Sequence, residues 1–135
     1  MANDSLYDVL DFYIEQHSTH RRGSYRVAVR GLTLYLDDIA QAFDIRDLSS
    51  SGCSLRAQAA LLAVGRIVNG NLHIGNTGYL MGLTIKVIRH IADDSVACVF
   101  QALSRRQEIM LDKLLLEIQK RSIATHTARR KRKKH

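Results

Sequence analysis

Acidic residues are missing where arginines gather. Between Glu15 and Asp37 the chain has no Asp or Glu, yet that stretch holds Arg21, Arg22, Arg26 and Arg30 with His17 and His20. Guanidinium groups without a local carboxylate repel one another and need an anion from elsewhere. Cysteine is scarce. Cys53 and Cys98 are too few for a disulfide scaffold, and their spacing fits no zinc pattern. Reduced thiols and a cytoplasmic location are expected, and both cysteines sit in apolar strand patterns that read as core. No apolar run reaches the roughly 20 residues needed to span a bilayer. The N-terminal "MANDSLYDVLDFY" lacks the basic head and apolar centre of a signal peptide. Catalytic groupings are absent too. Ser49 beside Asp47 has no histidine base evident in the sequence, and no triad can be assembled, so an enzyme is not expected. His17 and His20 form an HxxH pair, but no nearby Cys or acidic residue completes a metal site. Neither a metal nor a cofactor is expected.

What is present suits one domain. The chain has 135 residues, 46% of them apolar, enough for a real core. Its net charge is +7, but "RRKRKK", Arg129 to Lys134, supplies six of those charges. Seven less six leaves a nearly neutral body and a basic tail.

Leu6, Leu10, Tyr13 and Ile14 recur at helical spacing and predict an N-terminal helix, with a loop completing residues 1–20. From Tyr25 the period becomes two, and at Gly31 the apolar set changes parity, as a bulge or bend would cause. "LDDIAQ" reads as a turn, "AFDIRDLS" as a strand, and Cys53 to Leu55 as its partner after a tight turn. "VGRIV" and "NLHIG" read as short strands around an Asn69-Gly70 hairpin turn. "YLMGLTIKVIRHI" and "SVACVFQAL" flank "ADD" as a long hairpin. Ser104 and Gln107 fit a capping box, and Leu111, Leu114, Leu115 and Ile118 form a helical stripe. Met110 and Leu116 broaden that stripe into a surface that could join a second copy. Residues 122–135 have no periodicity and are expected to be disordered. The expected fold is mainly β: a small antiparallel barrel of about six strands, with an N-terminal and a C-terminal helix.

Two short patterns stand out. Arg22-x-x-x-Arg26, preceded by Arg21, lies ahead of the first strand. "DLSSSG", with Asp47, Ser49 and Gly52, lies at a strand-to-strand turn. In this order and at this interval the pair resembles the PilZ domain family, bacterial receptors for cyclic di-GMP. The resemblance spans Arg21 to Arg121 and takes in the later hairpin and closing helix. It implies a PilZ-like barrel domain over residues 21–121. It also implies that Arg21, Arg22, Arg26, Asp47, Ser49 and Gly52 bind the ligand.

The chemistry agrees. An arginine fork binds phosphate oxygens and its face stacks on a purine. A carboxylate at Asp47 accepts from a guanine edge, Ser49 adds a hydroxyl, and Gly52 lets a ligand approach the backbone. The resemblance further implies that Arg21 accompanies two ligand molecules per protomer. It implies a conformational change that signals to a downstream protein in motility, biofilm or exopolysaccharide control. A rival reading makes the basic tail a nucleic-acid or anionic-surface binder, with the barrel as its scaffold.

Overall fold

The computed structural model describes residues 6, 11–12 and 27–133 of the chain. Its strands are β1 (Asp11–Phe12), β2 (Val27–Arg30), β3 (Leu32–Leu36), β4 (Gln41–Leu48), β5 (Gly52–Arg56), β6 (Ile67–Ile74), β7 (Thr77–Ala92) and β8 (Ser95–Gln101). A 3-10 turn (Ala59–Leu61) follows β5, and a long helix, α1 (Arg105–Lys133), follows β8. All described strand pairings are antiparallel.

β2 and β3 behave as one strand bent at Gly31. Val29 and Leu32 are both buried, so the inward parity changes across the glycine, whose φ of 97° suits a residue without Cβ. β3 pairs with the first half of β4, and β2 pairs with its end. With β2 and β3 counted as one, six strands close a ring in the order β3, β4, β5, β8, β7, β6 and back to β3. The mainly β barrel with a closing helix is therefore as expected.

The barrel core is aliphatic. Leu34, Leu36, Ile45, Leu55, Leu72, Leu83, Ile85 and Val87 are buried at alternating positions of their strands. Cys53 and Cys98 belong to this core and are direct register partners on β5 and β8. Burial pushes the Cys98 thiol up to about 12, so it stays protonated and inert.

Asn69-Gly70 does not turn the chain. β6 runs straight through both residues, and the hairpin turn comes at Gly75-Asn76. Gly70 serves packing instead. A Cβ there would lie 3.0 Å from Leu36 Cδ2 and 3.1 Å from Ile85 Cδ1. Two core side chains occupy that space.

α1 begins with the expected capping box. The Gln107 N–H donates to Ser104 Oγ at 3.1 Å, and the Ser104 N–H donates to Gln107 Oε1 at 2.9 Å. Leu111, Leu114 and Ile118 are buried against the barrel. Two polar contacts fix the helix on β7. The Tyr79 hydroxyl donates to the Met110 carbonyl at 2.7 Å, and Gln107 Nε2 donates to the Met81 carbonyl at 3.0 Å. Ser104→Ala is expected to cost about 1 kcal/mol, read as a lower urea midpoint at unchanged slope.

Two expectations meet the structure differently. The backbone stays helical to Lys133, through residues expected to be disordered. Its Ala, Arg and Lys residues favour the helix, and no proline stops it. The predicted N-terminal helix lies mostly outside the described residues. Within it, Asp11 and Phe12 are extended and pair with Arg30 and Val29. Arg30, the last arginine of the cluster, thus has an acidic residue at the facing position, supplied by non-local pairing.

Candidate functional site

The corner between β4 and β5 is built by one misplaced parity. Phe43 and Ile45 point into the core, so strict alternation would send Asp47 inward. A register shift between Ile45 and Asp47 inserts Arg46 as an extra residue. Leu48 then takes the buried position and Asp47 is left half-buried. The bulge also aims Arg46 at β8, where its Nη1 donates to Ser95 Oγ at 3.4 Å. Sequence reasoning missed this bulge. Its signal was the spacing of Phe43, Ile45 and Leu48, which breaks the two-residue period.

Ser49 is 1% exposed and its hydroxyl is committed to the turn. It accepts from the Ser51 and Gly52 N–H groups, each at 3.3 Å, and lies 3.3 Å from the Gly52 carbonyl and 3.1 Å from Ser51 Oγ. The Ser49 N–H donates to the Gly52 carbonyl at 2.9 Å. A hydroxyl has one proton and two lone pairs, and all are engaged here. In this conformation Ser49 shapes the corner and faces away from solvent. Ser49→Ala is expected to lower stability by about 1.5 kcal/mol. Its effect on ligand affinity should be smaller than that of Asp47→Ala, in a direct comparison by calorimetry.

Gly52 is required by β8 more than by the turn. It pairs with Val99, and an added Cβ would fall onto the Cys98 carbonyl oxygen and lie 2.9 Å from Val99 Cα.

Arg21, Arg22 and Arg26 lie outside the described residues. The next residue does not. Val27 is the register partner of Leu48, and Ala28 that of Asp47. In the chain, residues 13–26 come between β1 and β2, which pair with each other, and β2 pairs in turn with Asp47 and Leu48.

Two open depressions lie at the other end of β4 and β5. One of about 400 Å³ is lined by Gln41, Phe43, Asp44, Arg56 and Leu61 among others. The second, about 240 Å³, is lined by Arg46, Arg56, Gln58, Asp94 and Ser95 among others. Neither includes Asp47 or Ser49. Among the described residues no cluster of His, Cys, Asp or Glu could hold a metal ion.

The family model described as the PilZ domain matches residues 20–117, most of the chain. The chain belongs to the PilZ family. Solved structures with the PilZ fold resemble it at low identity. Klebsiella pneumoniae MrkH, in its c-di-GMP complex, superposes with a TM-score of 0.64 at 17% identity, covering 78% of this chain and 55% of that one. Escherichia coli YcgR in complex with c-di-GMP gives 0.64 at 16%, covering 80% and 50%. The isolated PilZ domain of Escherichia coli YcgR with c-di-GMP gives 0.62 at 15%, covering 79% and 98%. The chain thus spans about half the length of MrkH and YcgR, and nearly all of an isolated PilZ domain. No curated protein matches it.

Proposed function

We propose that this PilZ domain is a cyclic di-GMP receptor and not an enzyme. Arg22 and Arg26 clamp phosphates and guanines, Arg21 adds charge for a second ligand molecule, and Asp47 accepts from a guanine edge. Ser49 and Gly52 hold the corner that presents Asp47. One observation supports this reading: Val27 and Ala28, which directly follow the arginine motif in the chain, pair with Leu48 and Asp47. Chain connectivity then keeps the Arg26 Cα within about 3.8 Å of the Val27 Cα. Family membership supports the ligand, as do solved PilZ relatives that hold c-di-GMP.

The change on binding reaches a downstream protein through the helix. α1 packs against β1, β2 and β7, and β1 and β2 bound the arginine segment. Ligand contacts made only when that segment closes would bias the β1–β2 pair, and with it the surface around α1.

Isothermal titration tests the reading. Saturable binding of cyclic di-GMP with a stoichiometry near two is expected, with GTP and cyclic GMP far weaker. A stoichiometry near one would reject the role given to Arg21, and no heat at all would reject the receptor. Deleting residues 122–135 should leave the affinity within about twofold, since the basic tail contributes only screened, long-range attraction. Loss of binding on that deletion would favour the nucleic-acid or anionic-surface reading.

A further inference from the structure

Ser54 is a buried hydroxyl on the outer side of its strand. Its β5 neighbours Cys53 and Leu55 belong to the barrel core, so Ser54 faces outward. Outer positions of a barrel ordinarily meet solvent, yet Ser54 is 0% exposed. Its Oγ has no hydrogen-bond partner among the described residues. A buried hydroxyl left unpaired is costly, and such groups are rare. Register places Asp47 of β4 on one side of Ser54 and Ala97 of β8 on the other. Cross-strand partners share a face, so Ser54 stands beside the Asp47 carboxylate.

Arg46 crosses β5 next to it. Arg46 is the extra residue of the β4 bulge, and its Nη1 donates to Ser95 Oγ on β8 at 3.4 Å. β5 runs between β4 and β8. The arginine side chain therefore spans β5, whose two neighbours are roughly 9–10 Å apart. Ser95 and Ala97, on the same outer face, are buried as well. The guanidinium gains little from this position. A neutral serine oxygen at that length is a weak acceptor. It is the one polar contact that Arg46 makes among the described residues. Asp94 borders the depression that Arg46 lines, but among the described residues no ion pair joins them. A cation held by one long neutral bond exchanges it readily for an anion.

A poorly satisfied cation and an unpartnered hydroxyl thus lie together, next to Asp47. We propose that the ligand site continues from Asp47 onto the outer face of β5, with Arg46 and Ser54 as further contacts. Arg46 leaves Ser95 for a ligand phosphate, and its departure uncovers Ser54. The Ser54 hydroxyl then hydrogen-bonds the guanine that Asp47 holds. This rests on the cyclic di-GMP reading above and deepens it. A cyclic dinucleotide offers both groups what they lack: anionic oxygens for the arginine and a base edge for the hydroxyl.

Calorimetric titration with cyclic di-GMP tests this on wild type, Arg46→Gln, Ser54→Ala and Ser95→Ala, beside urea unfolding of each. Arg46→Gln is expected to bind about tenfold more weakly, with a shallower salt dependence, because a charged contact is gone. Ser54→Ala should bind about fivefold more weakly. Its urea midpoint should not fall, since the lost hydroxyl had no partner in the free protein. Ser95→Ala removes only the resting contact of Arg46 and should keep or exceed wild-type affinity. A loss there as large as in Arg46→Gln would make the Arg46–Ser95 contact structural and overturn the inference. A lower midpoint for Ser54→Ala would also overturn it. If wild type binds cyclic di-GMP and either Arg46→Gln or Ser54→Ala binds equally well, the inference alone falls. If wild type does not bind, the receptor reading falls and takes the inference with it.

Discussion

Arg22→Ala is expected to cut affinity for cyclic di-GMP about a hundredfold while leaving the fold intact. A charge-assisted hydrogen bond to phosphate contributes about 1.5–3 kcal/mol, and stacking on guanine adds about 1 kcal/mol. Together they reach roughly 3 kcal/mol, which is two decades in Kd. Arg26→Ala should behave alike. Arg22→Lys is the informative intermediate. It keeps the charge but loses the planar fork and the stacking face, so only about tenfold should be lost. Calorimetric titration of all three variants, with far-UV circular dichroism to confirm folding, is the measurement. Affinities within threefold of wild type would remove Arg22 from the site. Asp47 and the corner would then have to bind the ligand without a clamp.

Gly52→Ala should have the largest effect on stability. The methyl would collide with the Cys98 carbonyl oxygen and the Val99 Cα, and both are backbone atoms of β8. No rotamer change can relieve that, so β8 must move away from β5 and the ladder from Gly52 to Arg56 weakens. A cost of about 3 kcal/mol is expected, with a fall in Tm of roughly 10 °C. Gly65→Ala is the control. Its φ of 92° disfavours a side chain, but nothing lies within 4 Å of the added methyl. Conformation alone should cost about 1–2 kcal/mol there. Equal losses at the two glycines in urea titrations would show that crowding by β8 is not the reason for Gly52.

Much of the barrel was legible because two-residue periodicity and a parity change at a glycine are local signals. Gly31 announced its own bend. The capping box at Ser104 and Gln107 and the stripe from Leu111 to Ile118 were equally local. Asn69-Gly70 misled because the same dipeptide serves a tight turn and a strand that needs an empty position. Only the neighbours across the barrel, Leu36 and Ile85, decide between them. The β1 pairing was hidden for a related reason. Asp11 and Phe12 sit inside a helical apolar pattern, and their strand partners lie some eighteen residues on, so no local signal opposes the helix.

The candidate corner was legible as residue types and less so as roles. Asp47, Ser49 and Gly52 stood out by their spacing as a strand-to-strand turn. The structure assigns Ser49's hydroxyl to the turn and Gly52's bareness to the β8 backbone. Neither could be read without the hydrogen-bond partners and the strand at its back. Arg46 had a signal in the spacing of Phe43, Ile45 and Leu48. The partner of its guanidinium, Ser95, is 49 positions away.

Because Asp11 and Phe12 pair with Arg30 and Val29, the chain enters and leaves the stretch that carries the arginine motif through paired strands. Tethering lowers the entropy that must be given up when the span closes on a nucleotide, and it raises the local concentration of guanidinium at the corner. Cutting the chain after Phe12 would remove none of the residues proposed to bind the ligand. It would still slow capture and weaken retention, since the motif would then have to find its ligand from a loose end.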